Sequence, residues 1–513
     1  MDRRIRFIAL FLVVCFGLLI AQLNNIQVRQ ASALNAKGPP YAASKSTLSV
    51  FNQPRGEIVT ADGVVIARSV PTNDQYDELR EYPQGSLYTD VTGYYDTTAF
   101  AAPEGIENFY DSYLQPHEAT AHNLRQMLTE QSGTDTVVTT INSTVQLAAE
   151  RALAGYRAGA VVAINPQTGA ILAMYGKPTF DPNALATHDV KAAAAAFTQL
   201  QNSADPSASA LINYATAQVF NPGSTFKVIT TSAMYDHMPT LLTQSWPTVQ
   251  SISLPQSNIR LQNFGGEVCG GTLAEVLAKS CDTSYATIGL RLGAPNLAAE
   301  ATAFGFNQQP PIDLPAGEVA PACFPPVDLA TPSQACGSSV QSIGSRDEPF
   351  LMYSAIGQKD VKESALQDAL IASAIADGGK MMTPHLMAKI VSNTGNVVQS
   401  YPASPWKQAT SEATAHSVLE LMRGVVTGGT ATPVQFPPND HVAAKTGTAE
   451  TGLSNCSTNW LIATAPADPT DTPTVAVAAV IPYQPGTTCD GTGAQFAGPV
   501  VKSVLAAALA IHQ

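Results

Sequence analysis

Two groups of apolar, strand-like runs lie far apart in this sequence, and a single sheet built from both would organise the whole fold. The early group is a hairpin, with runs at residues 160–164 and 171–174 around a turn that contains Asn165 and Gly169. Three further runs follow near the C-terminus, at residues 443–448, 460–465 and 475–481. The long segment between the groups carries mainly helical patterns. An antiparallel sheet with strands from both ends and helices between them predicts an α+β domain closed by its own termini.

The chain has one continuously apolar run, residues 7–21, which Arg3, Arg4 and Arg6 precede. Basic residues on this side predict that the N-terminus stays in the cytoplasm. Fifteen residues are few for a span of about 20, and the run would also fit a signal peptide. The small residues suited to cleavage, at 31–33, lie behind a largely polar stretch. We therefore predict an uncleaved membrane anchor, with a cleaved signal peptide as the alternative.

Composition narrows the kinds of partner and cofactor. The chain has 27 basic and 40 acidic residues, a net charge of −13. This argues against nucleic acid as the main partner, because phosphate binding needs a basic surface. No cysteine pair has the CxxC spacing of a zinc site and no HExxH motif occurs. We therefore predict no metal and no cofactor.

Six cysteines follow the apolar run, and an even number in an exported chain predicts up to three disulfides. If the last two strands pair antiparallel, the start of one faces the end of the other, and Cys456 meets Cys489. The remaining pairs would be Cys323–Cys336, across a proline-rich loop, and Cys269–Cys281.

A serine three residues before a lysine marks a possible nucleophile and its base. Serine needs such a base to take its proton, and the two side chains share one helix face at this spacing. Ser224 precedes Lys227 in this way, and Ser404 precedes Lys407. Pro405 disfavours a helical turn in the second pair, which makes that pair a decoy.

The segment before Lys227 favours a helix start at the serine. Pro222-Gly223 supplies a turn that places Ser224 at a helix N-terminus. Free backbone N–H groups and the helix dipole at that end stabilise a developing oxyanion. Alone, this four-residue pattern is equally typical of an ordinary helix start.

Two further motifs follow in a fixed order. Ser280-Cys281-Asp282 comes at the end of a helical segment, and Lys445-Thr446-Gly447-Thr448 belongs to a predicted strand. Together with Ser224 and Lys227, this trio resembles the signature set of penicillin-binding proteins and serine β-lactamases.

Flanking residues extend the resemblance to class B penicillin-binding proteins, the membrane-anchored transpeptidases of peptidoglycan synthesis. These residues are Arg55-Gly56-Glu57-Ile58, Asp62-Gly63, Arg80, Gly105-Ile106-Glu107, residues 161–183, Ile356-Gly357-Gln358, Asp377-Gly378-Gly379 and residues 446–450. Residues 51–56 are most similar to a septation-linked, actinobacterial branch of that class. Two departures stand out: Tyr214 replaces the usual arginine of an Asn-Arg-Ala motif, and Asp282 stands where asparagine is usual.

The resemblance implies a fold and a division of the chain. The fold is that of penicillin-recognising serine transpeptidases, an antiparallel sheet flanked by helices, on a strand-rich N-terminal pedestal behind a single anchor. The implied segments are residues 1–23 (cytoplasmic tail and anchor), 24–50 (stalk), 51–157 (pedestal of the dimerisation type) and 158–513 (transpeptidase domain).

The resemblance also implies roles for the motif residues. Ser224 would attack the carbonyl of a D-Ala-D-Ala stem peptide, with neutral Lys227 as its base and the nearby Lys445 favouring that neutrality. Ser280 would relay a proton to the leaving amine, and Asp282 would position Lys227. The backbone N–H groups of Ser224 and Thr448 would form the oxyanion hole. The substrate carboxylate would be held by the third motif: Lys445, Thr446, Gly447 and Thr448.

Partners and rival functions follow from the same resemblance. The implied partners are peptidoglycan stem peptides, on lipid-linked precursor or nascent strands, β-lactams as inhibitors, and a membrane glycosyltransferase of the elongation or division machinery. One alternative is a D,D-carboxypeptidase or β-lactamase, in which water takes the acyl group. From a different class, the chain could be a non-catalytic β-lactam-binding scaffold of the division machinery.

Overall fold

The computed structural model describes residues 53–74, 76–95, 104–116, 133–201, 209–327, 347–452, 456–468, 471–484, 489 and 491–511, together with residue 16. The predicted stalk, Cys336 and, apart from residue 16, the predicted anchor lie outside them. The chain forms two compact units, one containing Val70–Leu79 and the residues before Arg55, the other everything else. In the first, the Thr72 N–H donates to Asp77 O at 2.9 Å. All the predicted site residues belong to the second.

Strands and helices alternate along the described chain. The strands are β1 (Ile58–Val59), β2 (Val65–Pro71), β3 (Glu78–Glu81), β4 (Thr136–Thr139), β5 (Gly159–Ile164), β6 (Ile171–Lys177), β7 (Trp246–Val249), β8 (Ser251–Ser253), β9 (Arg260–Gln262), β10 (Cys269–Gly271), β11 (Lys380–Met382), β12 (Met387–Val391), β13 (Val397–Ser400), β14 (Pro405–Gln408), β15 (Ala443–Glu450), β16 (Ser457–Ala465) and β17 (Val475–Ile481). The α-helices are α1 (Thr89–Thr92), α2 (Gly105–Phe109), α3 (Asp111–Leu114), α4 (Ser143–Leu153), α5 (Asn183–Ala186), α6 (Val190–Gln201), α7 (Lys227–His237), α8 (Leu273–Ala278), α9 (Asp282–Ala303), α10 (Glu348–Ser354), α11 (Ala365–Ala376), α12 (Glu412–Gly428) and α13 (Gly493–Ala510).

The central sheet has the order β15-β16-β17-β5-β6, and each neighbouring pair is antiparallel. The predicted sheet, with two early and three late strands, is therefore confirmed. Every residue of β5, β16 and β17 is buried, and helices α4, α11 and α13 pack against the sheet. Burial on both faces explains why β5 and β17 are continuously apolar instead of alternating.

Helix α13 is long and apolar enough to cross a membrane, judged by length and composition within the described part of the chain. Half of it is buried inside the protein, where it packs on β16 and β17. A core helix of a globular domain passes the same test, so α13 gives little evidence for a membrane span.

A second sheet joins strands from residues 58–139 with two strands from residues 387–400. Its order is β13-β12-β4-β1-β2-β3. The strand β4 pairs in parallel with β1 on one side and antiparallel with β12 on the other. Two strands from far along the sequence therefore complete the sheet of the N-terminal part.

A buried ion network holds the N-terminal part together. The fully buried Glu107 accepts from Arg55 Nε and Arg80 Nε, both at 2.6 Å. Burial acts to raise the pKa of Glu107, but the two guanidinium groups outweigh it and lower that pKa below its ordinary value. Arg55, Arg80 and Glu107, which carry part of the family resemblance, therefore form one structural cluster.

Two of the three predicted disulfides are present among the described residues. Cys456 pairs with Cys489 next to the antiparallel strands β16 and β17, and Cys269 pairs with Cys281. Both pairings are confirmed. Cys323 is also disulfide-bonded, and its predicted link to Cys336 stays a prediction because Cys336 lies outside the described residues.

Candidate active site

Ser224 lies in a tight turn that leads into α7. Residues Gly223–Phe226 form a single 3₁₀ turn, and α7 begins at Lys227. Gly223 has a φ of +60°, and a Cβ there would lie 2.9 Å from Thr448 O. Glycine at this position therefore allows the turn to pack directly on β15. The predicted helix start at Ser224 is present, with 3₁₀ geometry in its first turn.

The Lys227 side chain is fully buried and points toward the second motif. Its Nζ donates to Ser280 O at 2.7 Å, Ser280 Oγ at 3.2 Å and Asp282 Oδ1 at 2.6 Å. All three of these partner atoms belong to one short segment, the second motif.

Ser280 links the first motif to the third. It lies between α8 and α9 with a φ of +58°, in the left-handed region that a non-glycine residue adopts at a cost of about 1–3 kcal/mol. The neighbouring Cys269–Cys281 disulfide and the bond from Cys281 N–H to Val276 O, at 2.9 Å, hold this conformation. Ser280 Oγ thus lies between Lys227 Nζ and Lys445 Nζ, the second at 2.8 Å.

The third motif lies on β15, the edge strand of the central sheet. Lys445 is fully buried and also donates to Thr446 O at 2.9 Å. A Cβ on Gly447 would come within 2.6 Å of Pro222 O, so glycine is needed where the turn that contains Ser224 meets the strand. Thr448 Oγ1 accepts from Gly493 N–H at 3.3 Å. The free edge of such a strand can pair with an extended peptide.

The two lysines share an unfavourable electrostatic environment. Burial lowers the pKa of Lys227, although Asp282 acts to raise it. Burial also lowers the pKa of Lys445 well below its usual value, and the charge of Lys227 lowers it further. Two buried ammonium groups joined through one hydroxyl would repel each other. This arrangement therefore favours a state in which only one of the two lysines is positively charged.

All three motifs line one open cleft of about 340 Å³. Its walls include Ser224, Ser280, Asp282, Thr446 and Thr448. A second groove of about 230 Å³ shares Ser224, Asp282 and Thr448 with the first and is lined on its far side by Arg260, Gln262, Tyr353, Gln358 and Glu450. The two spaces meet at the serine.

Three further residues shape the cleft and were not predicted from the sequence. The Phe264 N–H donates to Asp282 Oδ2 at 3.2 Å, Asn263 Oδ1 accepts from Thr283 N–H at 2.9 Å, and Thr430 Oγ1 lies 2.6 Å from Thr446 Oγ1. Only Thr430 has a signal in the local sequence, the Gly428-Gly429 pair that precedes it. A Cβ on Gly429 would come 2.2 Å from Ala278 O, which explains the glycine at that position.

The decoy pair lies outside the cleft. Lys407 belongs to strand β14, as the proline between Ser404 and Lys407 leads one to expect. Its Nζ donates to Thr302 O at 3.4 Å. Ser404 and Lys407 are therefore separated from the three motifs.

Comparison with known proteins assigns the chain to a family. Residues 159–506 match the model of the penicillin-binding protein transpeptidase domain, and residues 55–138 match that of the penicillin-binding protein A dimerisation domain. The chain belongs to the penicillin-binding protein transpeptidase family, and it has the serine transpeptidase fold expected from the sequence.

Within this family the similarity extends over whole chains. The sequence is 34% identical to the peptidoglycan D,D-transpeptidase PbpA of Mycolicibacterium smegmatis and 33% identical to that of Mycobacterium tuberculosis H37Rv, over 99% of each chain. The structure of penicillin-binding protein A from M. tuberculosis as a ceftriaxone acyl-enzyme is 32% identical, with a TM-score of 0.77, and the match covers 90% of this chain and 100% of that one. The penicillin G acyl-enzyme of the same protein matches with a TM-score of 0.72, over 89% and 100%. The resemblance to class B penicillin-binding proteins is thereby confirmed, and this chain is a serine-type transpeptidase.

Proposed function

We propose that this protein crosslinks peptidoglycan stem peptides through an acyl-enzyme on Ser224, and that β-lactams block it by acylating the same serine. The observation that carries the proposal is the convergence of Ser224, two buried lysines joined through Ser280, and the Lys-Thr-Gly edge strand on one cleft. Relatives named as D,D-transpeptidases and captured as β-lactam acyl-enzymes support it.

The acylation step uses the first two motifs. Neutral Lys227 takes the proton of Ser224 Oγ, and the oxygen attacks the carbonyl carbon of the penultimate D-Ala. The C–N bond then breaks, and the terminal D-Ala leaves after its nitrogen receives a proton through Ser280, which bonds to both lysines. Backbone N–H groups of Ser224 and Thr448 stabilise the oxyanion, each such donor being worth about 10²–10³ in rate.

The third motif holds the donor peptide. The cationic end of Lys445 and the hydroxyls of Thr446 and Thr448 bind its terminal carboxylate, and Gly447 lets the peptide strand lie close to β15. Asp282 positions Lys227 through the 2.6 Å contact to Nζ.

The transfer step needs room for a second substrate. An amine of another stem peptide enters along the second groove and attacks the acyl carbon. A new C–N bond forms, the ester to Ser224 breaks, and the amine proton returns to the serine through the lysines. The two grooves that meet at Ser224 favour this transfer over simple hydrolysis.

We also propose the cellular setting. The arginine-flanked run makes the protein a single-pass membrane protein with its bulk outside the cytoplasm, residues 51–157 act as a pedestal of the dimerisation type, and residues 158–513 act as the transpeptidase domain. Similarity of residues 51–56 to a septation-linked branch supports a role in cell division beside a membrane glycosyltransferase.

The test is labelling of the full-length protein in membrane fractions with a fluorescent penicillin. Wild-type protein and the matched control Ser404→Ala should label stoichiometrically and sediment with membranes, whereas Ser224→Ala should not label. Persistent labelling of Ser224→Ala would refute the nucleophile, and wild-type protein in the soluble fraction would refute the anchor. Release of D-Ala with no crosslinked product, when stem peptides are supplied as donor and acceptor, would show a carboxypeptidase instead.

A further inference from the structure

Behind Ser224 lie two carboxyl groups that the proposed reaction does not use. Glu363 precedes α11 and Asp368 lies within it, and both side chains are fully buried. The two carboxyl groups are within hydrogen-bonding reach of each other. Glu363 Oε2 and both carboxyl oxygens of Asp368 find no donor among the residues that the structure describes.

Within the described chain, no cation compensates this pair. Asp368 is the only charged group that acts appreciably on Glu363. The neighbouring Lys362 directs its Nζ to Asn221 Oδ1 at 2.6 Å, Lys227 bonds to the Ser280–Asp282 segment, and Lys380 on β11 pairs with Asp377 at 3.0 Å. Strands β5, β16 and β17, which pack on α11, contain no ionisable residue. Helix α12 also packs on α11; its Glu412, His416 and Glu420 are exposed, and its Arg423 pairs with Glu420 and Asp468.

Two adjacent carboxylates without a counter-ion cannot both be charged in a protein core. At neutral pH the pair therefore retains at least one proton. A carboxyl proton between the two groups supplies the donor that the protein otherwise lacks there.

The pair touches the residue next to the nucleophile. Thr225 Oγ1 lies 3.5 Å from Glu363 Oε1 and 3.2 Å from Pro222 O. On the other side of Thr225, its Cγ2 atom faces Gly447 of β15. A Cβ added to Gly447 would lie 3.1 Å from that atom. The backbones of Glu363 and Phe220 also exchange two hydrogen bonds of 2.9 Å. Glu363 thus supports the Ser224 turn from behind.

We propose that Glu363 and Asp368 form a positioning pair for Ser224. While the pair retains a proton, the Thr225 hydroxyl donates to Pro222 O and holds the Ser224 turn on β15. Ionisation at alkaline pH makes Glu363 the stronger acceptor, which draws that hydroxyl away from Pro222 O, loosens the turn and slows acylation. The proton goes to solvent and no other covalent bond changes. The proposal rests on the proposed function only in using acylation of Ser224 as its readout.

The pH range follows from the same environment. Burial raises the pKa of Asp368 to about 8, and burial together with the charge of Asp368 raises that of Glu363 well above its usual value. A base such as Lys227 can only become more available as pH rises, whereas loss of the Lys445 proton would also slow acylation at alkaline pH. The pair is therefore identified by the part of the alkaline fall that disappears when Glu363 and Asp368 can no longer titrate.

The experiment measures penicillin acylation rates and thermal unfolding of the full-length protein in detergent between pH 6 and pH 10 (roughly the range around the raised pKa values). Wild-type acylation should fall above about pH 8, by up to about tenfold per pH unit. The double variant Glu363→Gln/Asp368→Asn keeps the shape and a hydrogen bond without titrating, so it should acylate normally at pH 7 and fall less than the wild type above about pH 8. The matched control is Glu412→Gln, an exposed carboxyl group on α12, which should behave as wild type.

Thermal unfolding provides an independent readout. Between the usual carboxyl pKa of about 4 and about pH 8, the unfolded chain has lost protons that the folded pair keeps, so stability falls as pH rises. The double variant should remove this fall. Thr225→Val should keep it, because the pair remains, and yet show the same smaller alkaline fall in acylation as the double variant.

The outcomes distinguish failure of the proposed function from failure of the positioning pair. No acylation of wild type at pH 7 would overturn the proposed function. Normal acylation with the same alkaline fall in wild type, the double variant and Thr225→Val, or with no alkaline fall in wild type, would overturn the positioning pair alone.

Discussion

At the scale of single residues, Asp282 shows how one substitution changes the chemistry of a cleft. Its Oδ1 contacts Lys227 Nζ at 2.6 Å, and its Oδ2 accepts from the Phe264 N–H at 3.2 Å. Both oxygens therefore accept, as the two oxygens of a carboxylate can and the single oxygen of an amide cannot. An asparagine in this place could accept from Lys227 and donate toward a substrate carbonyl, whereas the aspartate must rely on nearby donors.

The substitution Asp282→Asn should keep penicillin acylation within about tenfold, or about 1.4 kcal/mol in barrier, and shift its pH profile toward lower pH. Burial already lowers the pKa of Lys227 and Asp282 opposes that effect. Removing the charge lowers the pKa further, so the neutral base is present at lower pH. Acylation rates measured across pH test this. An unchanged profile would show that the carboxylate is not coupled to the base, and a loss of about a thousandfold would make it directly catalytic.

At the scale of elements, the cleft depends on how closely the nucleophile turn approaches β15. Gly447 is enclosed on both sides, because a Cβ there would lie 2.6 Å from Pro222 O and 2.8 Å from the Cβ of Trp460. The Trp460 Nε1–H, in turn, donates to Asn221 O at 2.9 Å, which ties β16 to the start of the turn.

The substitution Gly447→Ala should therefore separate turn and strand. We expect a loss of acylation of about a hundredfold, the cost of moving reacting groups by about 1 Å, with a loss of about 1–3 kcal/mol in stability from overpacking. Gly424→Ala on α12, where a Cβ meets nothing within 4 Å, is the matched control and should leave acylation unchanged. Equal acylation by both variants would contradict the close contact.

At the scale of the whole molecule, the two functional parts share a sheet and a buried contact. Strands β12 and β13 complete the sheet of the N-terminal part. Asp313 accepts from Tyr110 OH at 2.8 Å and from the backbone N–H of Leu386 and Met387 at 2.6 and 2.8 Å. Since these bonds connect Tyr110, between α2 and α3, to the start of β12 through one buried carboxyl group, we expect the second compact unit to unfold as a whole.

The substitution Glu107→Gln tests that expectation. It leaves the guanidinium groups of Arg55 and Arg80 buried without their carboxylate, a loss of about 3–5 kcal/mol. Loss of penicillin labelling and loss of circular dichroism should occur at the same, lower temperature. Labelling that survives after the N-terminal part has unfolded would show two independent domains.

The pH dependence of the network has a definite sign. Because the pKa of Glu107 is lowered in the folded state, its contribution is present above the ordinary value of about 4.3 and is lost as pH falls through the folded value. Glu107→Gln should remove this acid-range dependence, whereas the exposed Glu57→Gln should keep it.

Much of the fold and of the candidate site could be predicted from local sequence. The strands β5, β6, β15, β16 and β17 were visible because apolar runs bounded by turn residues determine strands locally. The antiparallel arrangement of the last two strands then placed Cys456 beside Cys489. Ser224, Lys227 and the Lys-Thr-Gly strand were recognisable because their spacing and order match the signature set of the family.

Only the tertiary structure decided how distant segments meet. Nothing local indicates that β12 pairs with β4, that Lys227 Nζ turns to Ser280 and Asp282, or that Thr430 contacts Thr446. The buried Glu363 and Asp368 were equally hidden, because acidic residues are usually exposed. A local pattern fixes which face of an element is apolar or carries a reactive group, but burial, proton sharing and contact distance depend on which other element packs against that face, and this is a property of the folded chain.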